Sequence, residues 1–288
     1  WWAGAEVSAP MHPRTIEELA VLARRMRREI IEMTTQAGSG HPSSSTSMID
    51  ILVVLYFDGV LRHNPQQPDW PDRDRFVLSK GHGVPALYAV LAEAGYFDRE
   101  LLATLRQFGS PLQGHADRRM TPGVEASTGS LGQGLSIGLG MALGARLDRR
   151  DYRVYVLIGD GEADEGQVWE AAMAAAKYRV DNLTAILDFN KYQQTGPVER
   201  VMPTLHPLPD KWRAFGWHVV EIDGHNFIQI RAAFDEVRQV RGKPQVIIAH
   251  TIKGKGISVV ERSDPAGNKY HGVPLKPEEA QEALAALA

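Results

Sequence analysis

The sequence predicts an α/β protein built on a doubly wound, mainly parallel sheet with helices on both faces, and three observations lead there. Short apolar runs rich in Val, Ile, Leu and Tyr recur at residues 75–79, 152–158, 183–189, 217–222 and 245–250, the signature of buried strands. Helical patterns alternate with them, and parallel neighbours need such crossovers. No internal repeat or low-complexity linker interrupts the 288 residues, so one domain is expected over 12–262, with 263–288 as a loop and short helix packing on the domain or on a partner.

Residues 1–11 open on Trp1-Trp2 and lack the charged and apolar regions of a secretory signal; they are read as a disordered leader or processing remnant. Thr15-Ile-Glu-Glu18 is a capping box. It opens a long helix whose apolar stripe runs Ile16, Leu19, Leu22, Met26, Ile30 and Met33 and which stops at Gly38-Ser-Gly-His-Pro42. A second helix, apolar almost throughout and therefore buried, is expected over 46–61. The Pro- and Asp-rich loop 64–74 leads into the first strand, which ends at Lys80-Gly-His-Gly83. Helices over 86–93 and 99–108 follow, then a punctuated loop through Ser127. Gly132-Gln-Gly134-Leu-Ser-Ile-Gly138-Leu-Gly140 fails the dinucleotide fingerprint, because position 137 is Ile and no strand precedes it. Those glycines are read as a helix that lets another helix approach closely.

The central unit is the most informative. The strand at 152–158 ends at Gly159-Asp-Gly161, an Ala-rich helix spans 165–178, and the strand at 183–189 ends at Asn190. Asp160 and Asn190 therefore fall at the carboxyl ends of parallel strands, where open α/β sheets bind ligands. A carboxylate and an amide oxygen there suit a hard cation such as Mg²⁺, whose shell is completed by phosphate oxygens and water. The flanking glycines admit a diphosphate, and the following helix offers N-terminal amides. Four of the ten histidines, His41, His82, His115 and His271, sit in Gly- or Pro-marked loops. The first three are expected to gather at the same edge and handle protons, at spacings that do not fit zinc. Glu165 and Glu170 read by default as exposed surface charge, but Trp169 and Met173 suggest a largely buried helix, where a shared proton or an intersubunit pair would offset the cost of a buried carboxylate. Lys253-Gly-Lys-Gly256 lacks the phosphate-loop pattern and reads as a mobile basic loop near an anionic ligand.

Composition narrows the classes. A net charge of −3 with no basic block argues against nucleic acid and anionic membrane as partners. Absence of cysteine excludes disulfides, thiolate metal sites and a Cys nucleophile, and suits a cytoplasmic protein. No apolar run approaches the ~20 residues of a membrane span.

Gly159-Asp-Gly161 with Asn190 resembles the thiamin diphosphate motif. Ser39-Gly-His-Pro42, the segment from Asp72 through His82 and the segment from Pro122 through Gly134 resemble, in order, the diphosphate-binding half of transketolases. The resemblance runs from Thr15 to about Leu275. It implies thiamin diphosphate as cofactor, with Mg²⁺ or Ca²⁺ held by Asp160, Asn190 and the carbonyl of Tyr192. Gly159, Gly161 and Glu162 would lie at the diphosphate, and Gly129 and Leu131 beside the aminopyrimidine ring. His82 and His271 would touch the diphosphate or the first sugar hydroxyls. His41 and His115 would serve the substrate hydroxyl and carbonyl. Glu165 and Glu170 match carboxylates that connect paired cofactor sites across a subunit interface. Ser130 stands where many members have Pro, and the loop before His271 departs from the family pattern.

A full transketolase continues into a pyrimidine-binding domain, which supplies the Glu that protonates the aminopyrimidine ring, and a third domain. The chain therefore resembles the N-terminal subunit of a split transketolase, active with a separate C-terminal subunit in an α2β2 assembly. The implied reaction moves a two-carbon ketol unit from a ketose phosphate (xylulose 5-phosphate) to an aldose phosphate (ribose 5-phosphate). Four other readings stay open. One is a transketolase for a sulfosugar or branched sugar. Another is the α subunit of a 2-oxo acid dehydrogenase, against which the Gly-His-Pro and Lys-Gly-His segments argue. From other classes come an NAD-dependent dehydrogenase and a non-catalytic scaffold.

Overall fold

Side chains of a strand alternate between the two faces of its sheet, and in this protein the alternation separates two hydrophobic cores. The computed structural model describes residues 14–262 and 270–288; the expected leader lies outside them. In chain order the strands are β1 (Arg75–Leu78), β2 (Val154–Gly159), β3 (Leu183–Phe189), a small hairpin of β4 (Tyr192–Gln193) and β5 (Gly196–Pro197), then β6 (His218–Asp223) and β7 (Gln245–His250). Among the described residues, all but the hairpin join one parallel sheet in the order β1-β2-β3-β7-β6. Every residue of β2 and β3 is buried, which is why these strands read as continuous apolar runs.

Tyr155 and Leu157 of β2 join the core beneath α1 (Ile16–Ala37), α3 (Ile49–Phe57), α4 (Val84–Ala94) and α9 (Phe227–Gln239). Val154, Val156 and Ile158 join the opposite core beneath α5 (Gln133–Leu147), α6 (Gly166–Lys177) and α8 (Leu208–Ala214). The doubly wound architecture is thus present, with helices on both faces. Helix α1 begins with the expected capping box at Thr15 and ends at Gly38, whose left-handed φ of 58° favours glycine. Short helices α2 (Pro42–Thr46), α7 (Val198–Val201) and α10 (Ser258–Arg262) connect these layers. The closing helix α11 (Pro277–Ala286) docks on the chain itself, where Ala280 and Ala283 pack with Ile31, Ile257 and Leu275.

Four expectations change. The helix expected over 46–61 is shorter: Thr46 ends α2, and α3 covers only Ile49–Phe57. Hydroxyls of Ser45, Thr46 and Ser47 donate back to the carbonyls of His41, Pro42 and Ser44, and such bonding competes with helix continuation. The 99–108 segment forms only a 3-10 turn over Arg99–Thr104. The glycines of α5 admit the sheet rather than another helix: a Cβ on Gly138 would stand 2.3 Å from Val156 Cγ2, and one on Gly134 would stand 2.8 Å from Ser79 Cα. Finally, α6 is not largely buried. Val168, Ala171, Ala172 and Ala175 face inward, while Glu165, Glu170 and Met173 are exposed. Small alanines let this helix lie flat on the sheet with its far side uncovered.

The glycines of α5 separate packing from propensity. Gly138→Ala should destabilise by about 1–3 kcal/mol through overpacking against β2. Gly140→Ala meets open space and should be stabilising by up to about 1 kcal/mol, the helix preference of Ala over Gly. Urea unfolding midpoints of the two variants check this.

Candidate active site

Strand register brings the two motif residues together. Gly159 of β2 pairs with Asp188 of β3, so Asp160 and Asn190 emerge from neighbouring strand ends. Asp160 is 2% exposed. Its Oδ1 accepts from the Gly161 amide at 2.8 Å and its Oδ2 from the Lys191 amide at 2.6 Å. Burial, and then the nearby Asp188 carboxylate, push its pKa up to about 7. The Asn190 Oδ1 accepts from the Tyr192 amide at 3.1 Å, closing a turn in which Lys191 adopts a left-handed φ of 70°. Asp160, Asn190 and Tyr192 line one cavity of about 290 Å³.

The expected helix amides are not at this turn. A 3-10 turn over Gly161–Asp164 follows Asp160, and α6 starts only at Gly166. Glu162 fills the gap. Its buried carboxylate accepts from Ser79 Oγ and from the amides of Gly132 and Gly159 at 2.9 and 3.0 Å, tying the turn to the start of α5. Hairpin β4–β5 clamps the turn from the other side. Gln193 Nε2 donates to Asp164 at 2.7 Å, and a Cβ on Gly161 would stand 3.0 Å from Gln193 Cγ. Gly129, Leu131, Gly159, Gly161 and Glu162 all line the cavity.

The four histidines converge there as well. Ring centroids of His41 lie 5.1 Å from His82, 6.4 Å from His115 and 5.5 Å from His271, and His82 lies 5.3 Å from His271. Burial is the main cause that depresses all four pKa values. It is joined by Arg106 at His41 and His115, by Lys80 at His82 and by Lys253 at His271. His41 falls to about 4 and His271 to about 3, so the cluster is neutral at pH 7. His41 Nδ1 is buried without a hydrogen-bond partner, a polar atom that a ligand would satisfy.

Several residues at the site were given no role by the sequence. Lys80, 1% exposed, lines the cavity and donates to Asp188 and to the Ser44 carbonyl. Asp188 also accepts from Ser47 at 2.6 Å and from Thr251. Burial alone would raise the Asp188 pKa, but the Lys80 charge and these donors hold it below the usual carboxylate value. The one available hint was a Lys directly after a strand and an Asp inside an otherwise apolar one. The 253–256 segment is packed against the fold: Lys253 is buried, and the Gly254 amide donates to the Ser43 carbonyl at 3.0 Å. Glu165 and Glu170 are solvent-exposed and outside the cavity lining.

The donor set fits a hard divalent cation with a diphosphate. A buried carboxylate, an amide oxygen and a backbone carbonyl are oxygen ligands of the kind Mg²⁺ and Ca²⁺ take, with positions left for phosphate oxygens. Among the described residues, no group of three His, Asp or Glu side chains could hold a metal ion. No helix among the described residues is long and apolar enough to cross a membrane.

Comparison with known proteins places the chain in a family. The family model for the transketolase thiamine diphosphate binding domain matches residues 18–287. The 6-deoxy-6-sulfo-D-fructose transketolase subunit SqwG of Clostridium sp. (strain MSTE9) is 50% identical over 239 residues, 83% of this chain and 86% of that protein. One subunit of the apulose-4-phosphate transketolase of Phocaeicola vulgatus is 43% identical over 269 residues, 93% of each. The solved transketolase of Leishmania mexicana is similar at a TM-score of 0.86 and 35% identity, over 96% of this chain but 42% of that one. The chain thus spans under half the length of that transketolase.

Two outcomes follow from the buried charges. Lys80→Met strands the Asp188 carboxylate and should cost ~3–5 kcal/mol of stability. The Lys80→Met/Asp188→Asn double variant should recover much of it in a denaturation cycle. The histidines titrate below their ordinary value of 6.5 in the fold, so the unfolded chain takes protons first. Their contribution to stability is present above about pH 6.5 and is lost as pH falls through about 4 for His41 and about 3 for His271. Unfolding free energies of wild type and His41→Gln between pH 7 and pH 4 should diverge accordingly.

Proposed function

The chain belongs to the transketolase family, and from that premise we propose that it is the thiamin diphosphate-binding subunit of a split, cytoplasmic transketolase. One observation carries this reading: the paired strand-end oxygens and four neutral histidines surround a single cavity. Asp160, Asn190 and the Tyr192 carbonyl hold Mg²⁺, or Ca²⁺ in its place, and Gly161 leaves room for the diphosphate. The bound cofactor supplies the chemistry that breaks and remakes the carbon–carbon bond.

This chain's residues bind, orient and handle protons. A neutral imidazole has one N–H and one lone pair, so it donates to an oxygen anion or accepts from a hydroxyl without first losing a proton. His82 and His271 act at the diphosphate and the first hydroxyls of the sugar, His41 and His115 at the hydroxyl and carbonyl of the reacting sugar. Among the described residues, the two carboxylates lining the cavity, Asp160 and Glu162, are already engaged by backbone amides or Ser79. The carboxyl group that protonates the aminopyrimidine ring therefore comes from a separate C-terminal subunit, in an α2β2 assembly whose subunit interface includes Glu165 and Glu170. The reaction is ketol transfer from xylulose 5-phosphate to ribose 5-phosphate. A second reading, transfer from a sulfo-ketose, is favoured by the 50% identity to the sulfofructose transketolase subunit.

Asp160→Ala and Asn190→Ala should each abolish Mg²⁺-dependent binding of thiamin diphosphate by calorimetry, because each removes a metal oxygen. The wild-type chain should turn over sugars only when co-expressed with its C-terminal subunit. Full ketol transfer by this chain alone, or unchanged cofactor affinity in both variants, overturns the proposal. Parallel assays with xylulose 5-phosphate and sulfofructose decide between the donors.

A further inference from the structure

Lys253 has no part in the function just proposed. It does not line the cavity, yet its side chain is buried and stands against one that does: Nζ is 3.1 Å from His271 Nδ1. The placement is built from several sides. Ser43 accepts the Gly254 amide at its carbonyl at 3.0 Å and donates its hydroxyl to the Tyr270 carbonyl at 2.8 Å. One serine thereby joins the segments that carry His41, Lys253 and His271. Outside this seam, Arg27 pairs with buried Asp50 at 2.6 and 2.9 Å and donates from Nε to the Lys255 carbonyl at 3.0 Å. His225 Nδ1 lies 2.7 Å from the same carboxylate, while its Nε2 accepts the Ile252 amide at 2.8 Å. The residue before Lys253 and the residue two after it are thus held by one Arg–Asp–His unit.

An ammonium group has donors and no acceptor. With Lys253 against Nδ1, that nitrogen must present its lone pair, and the ring's single proton belongs on Nε2. We infer that Lys253 is a positioning residue that locks His271 in the Nε2–H form, so that His271 meets the cavity as a hydrogen-bond donor and not as a base. The neutral ring is the relevant form, because burial and the Lys253 charge lower its pKa to about 3. His41 and His82, at 5.5 and 5.3 Å, are the other rings His271 faces, and each is neutral as well. The donor assignment rests on the function proposed above only for the identity of what fills the cavity, namely anionic phosphate oxygens or sugar oxygens.

Long-range ¹⁵N–¹H correlation on histidine-labelled chain without cofactor, assigned with His271→Asn, reads the tautomer directly. In wild type, His271 should show a proton on Nε2 and a bare Nδ1; a proton on Nδ1 overturns the inference without recourse to any variant. Lys253→Met should give a mixture of tautomers and bind Mg²⁺–thiamin diphosphate roughly tenfold more weakly, the worth of one hydrogen bond to a charged group. Lys253→Arg, another pure donor, should keep the wild-type tautomer. An unchanged tautomer in Lys253→Met also overturns the inference, whatever its affinity. Wild-type chain that binds no thiamin diphosphate would refute the proposed function while leaving the tautomer result standing.

Discussion

The buried ion pair between Lys80 and Asp188 is the interaction on which the site's architecture rests. Lys80 lies just past β1, Asp188 is inside β3, Thr251 follows β7, and Ser44 and Ser47 belong to the α2 segment. All five meet at one carboxylate and one ammonium. Two charges removed from water are costly unless each finds partners, and a pair so well furnished with donors satisfies that condition. The pair therefore fixes how three strand ends and one helical segment sit relative to each other. Asp160 and Asn190 inherit their positions from this arrangement, one residue beyond β2 and one beyond β3.

The same charge contributes to the chemistry of the histidines. Burial is the first cause that opposes their protonation, and an ammonium close to His82, with Arg106 and Lys253 near the other rings, opposes it further. For a cavity proposed to receive a diphosphate, cationic histidines are the obvious design. The protein divides the tasks instead: fixed cations stand behind or beside the rings, and the imidazoles keep a neutral form that can both donate and accept. Asp160 is pushed the other way, by its burial and then by the nearby Asp188 carboxylate.

Much of this was legible in the chain. The β2–α6–β3 unit declared itself through apolar runs cut off at Gly159 and Asn190, and the histidines through their Gly- and Pro-marked loops. What failed was local. The 46–61 segment looked like one helix because its apolar content outweighed the hydroxyl run at Ser43–Ser47, whose side chains claim the backbone carbonyls. The α6 helix looked buried because Trp169 and Met173 are large and apolar, yet Met173 points away from the sheet. Lys253 looked mobile because Gly and Lys usually mark loops, whereas Ser43, Arg27 and His225 hold its segment in place through contacts between distant parts of the chain, such as the 228-residue separation of Arg27 from Lys255.

Sequence by itself determined the sheet, the two strand ends that carry Asp160 and Asn190, and the family, because each depends on periodicity or on residues close together in the chain. Tertiary structure alone decided that Lys80 meets Asp188, that Ser43 joins three loops, and which nitrogen of His271 faces Lys253. Those pairings bring together side chains from distant segments, and no local pattern records a hydrogen bond whose partner lies across the fold.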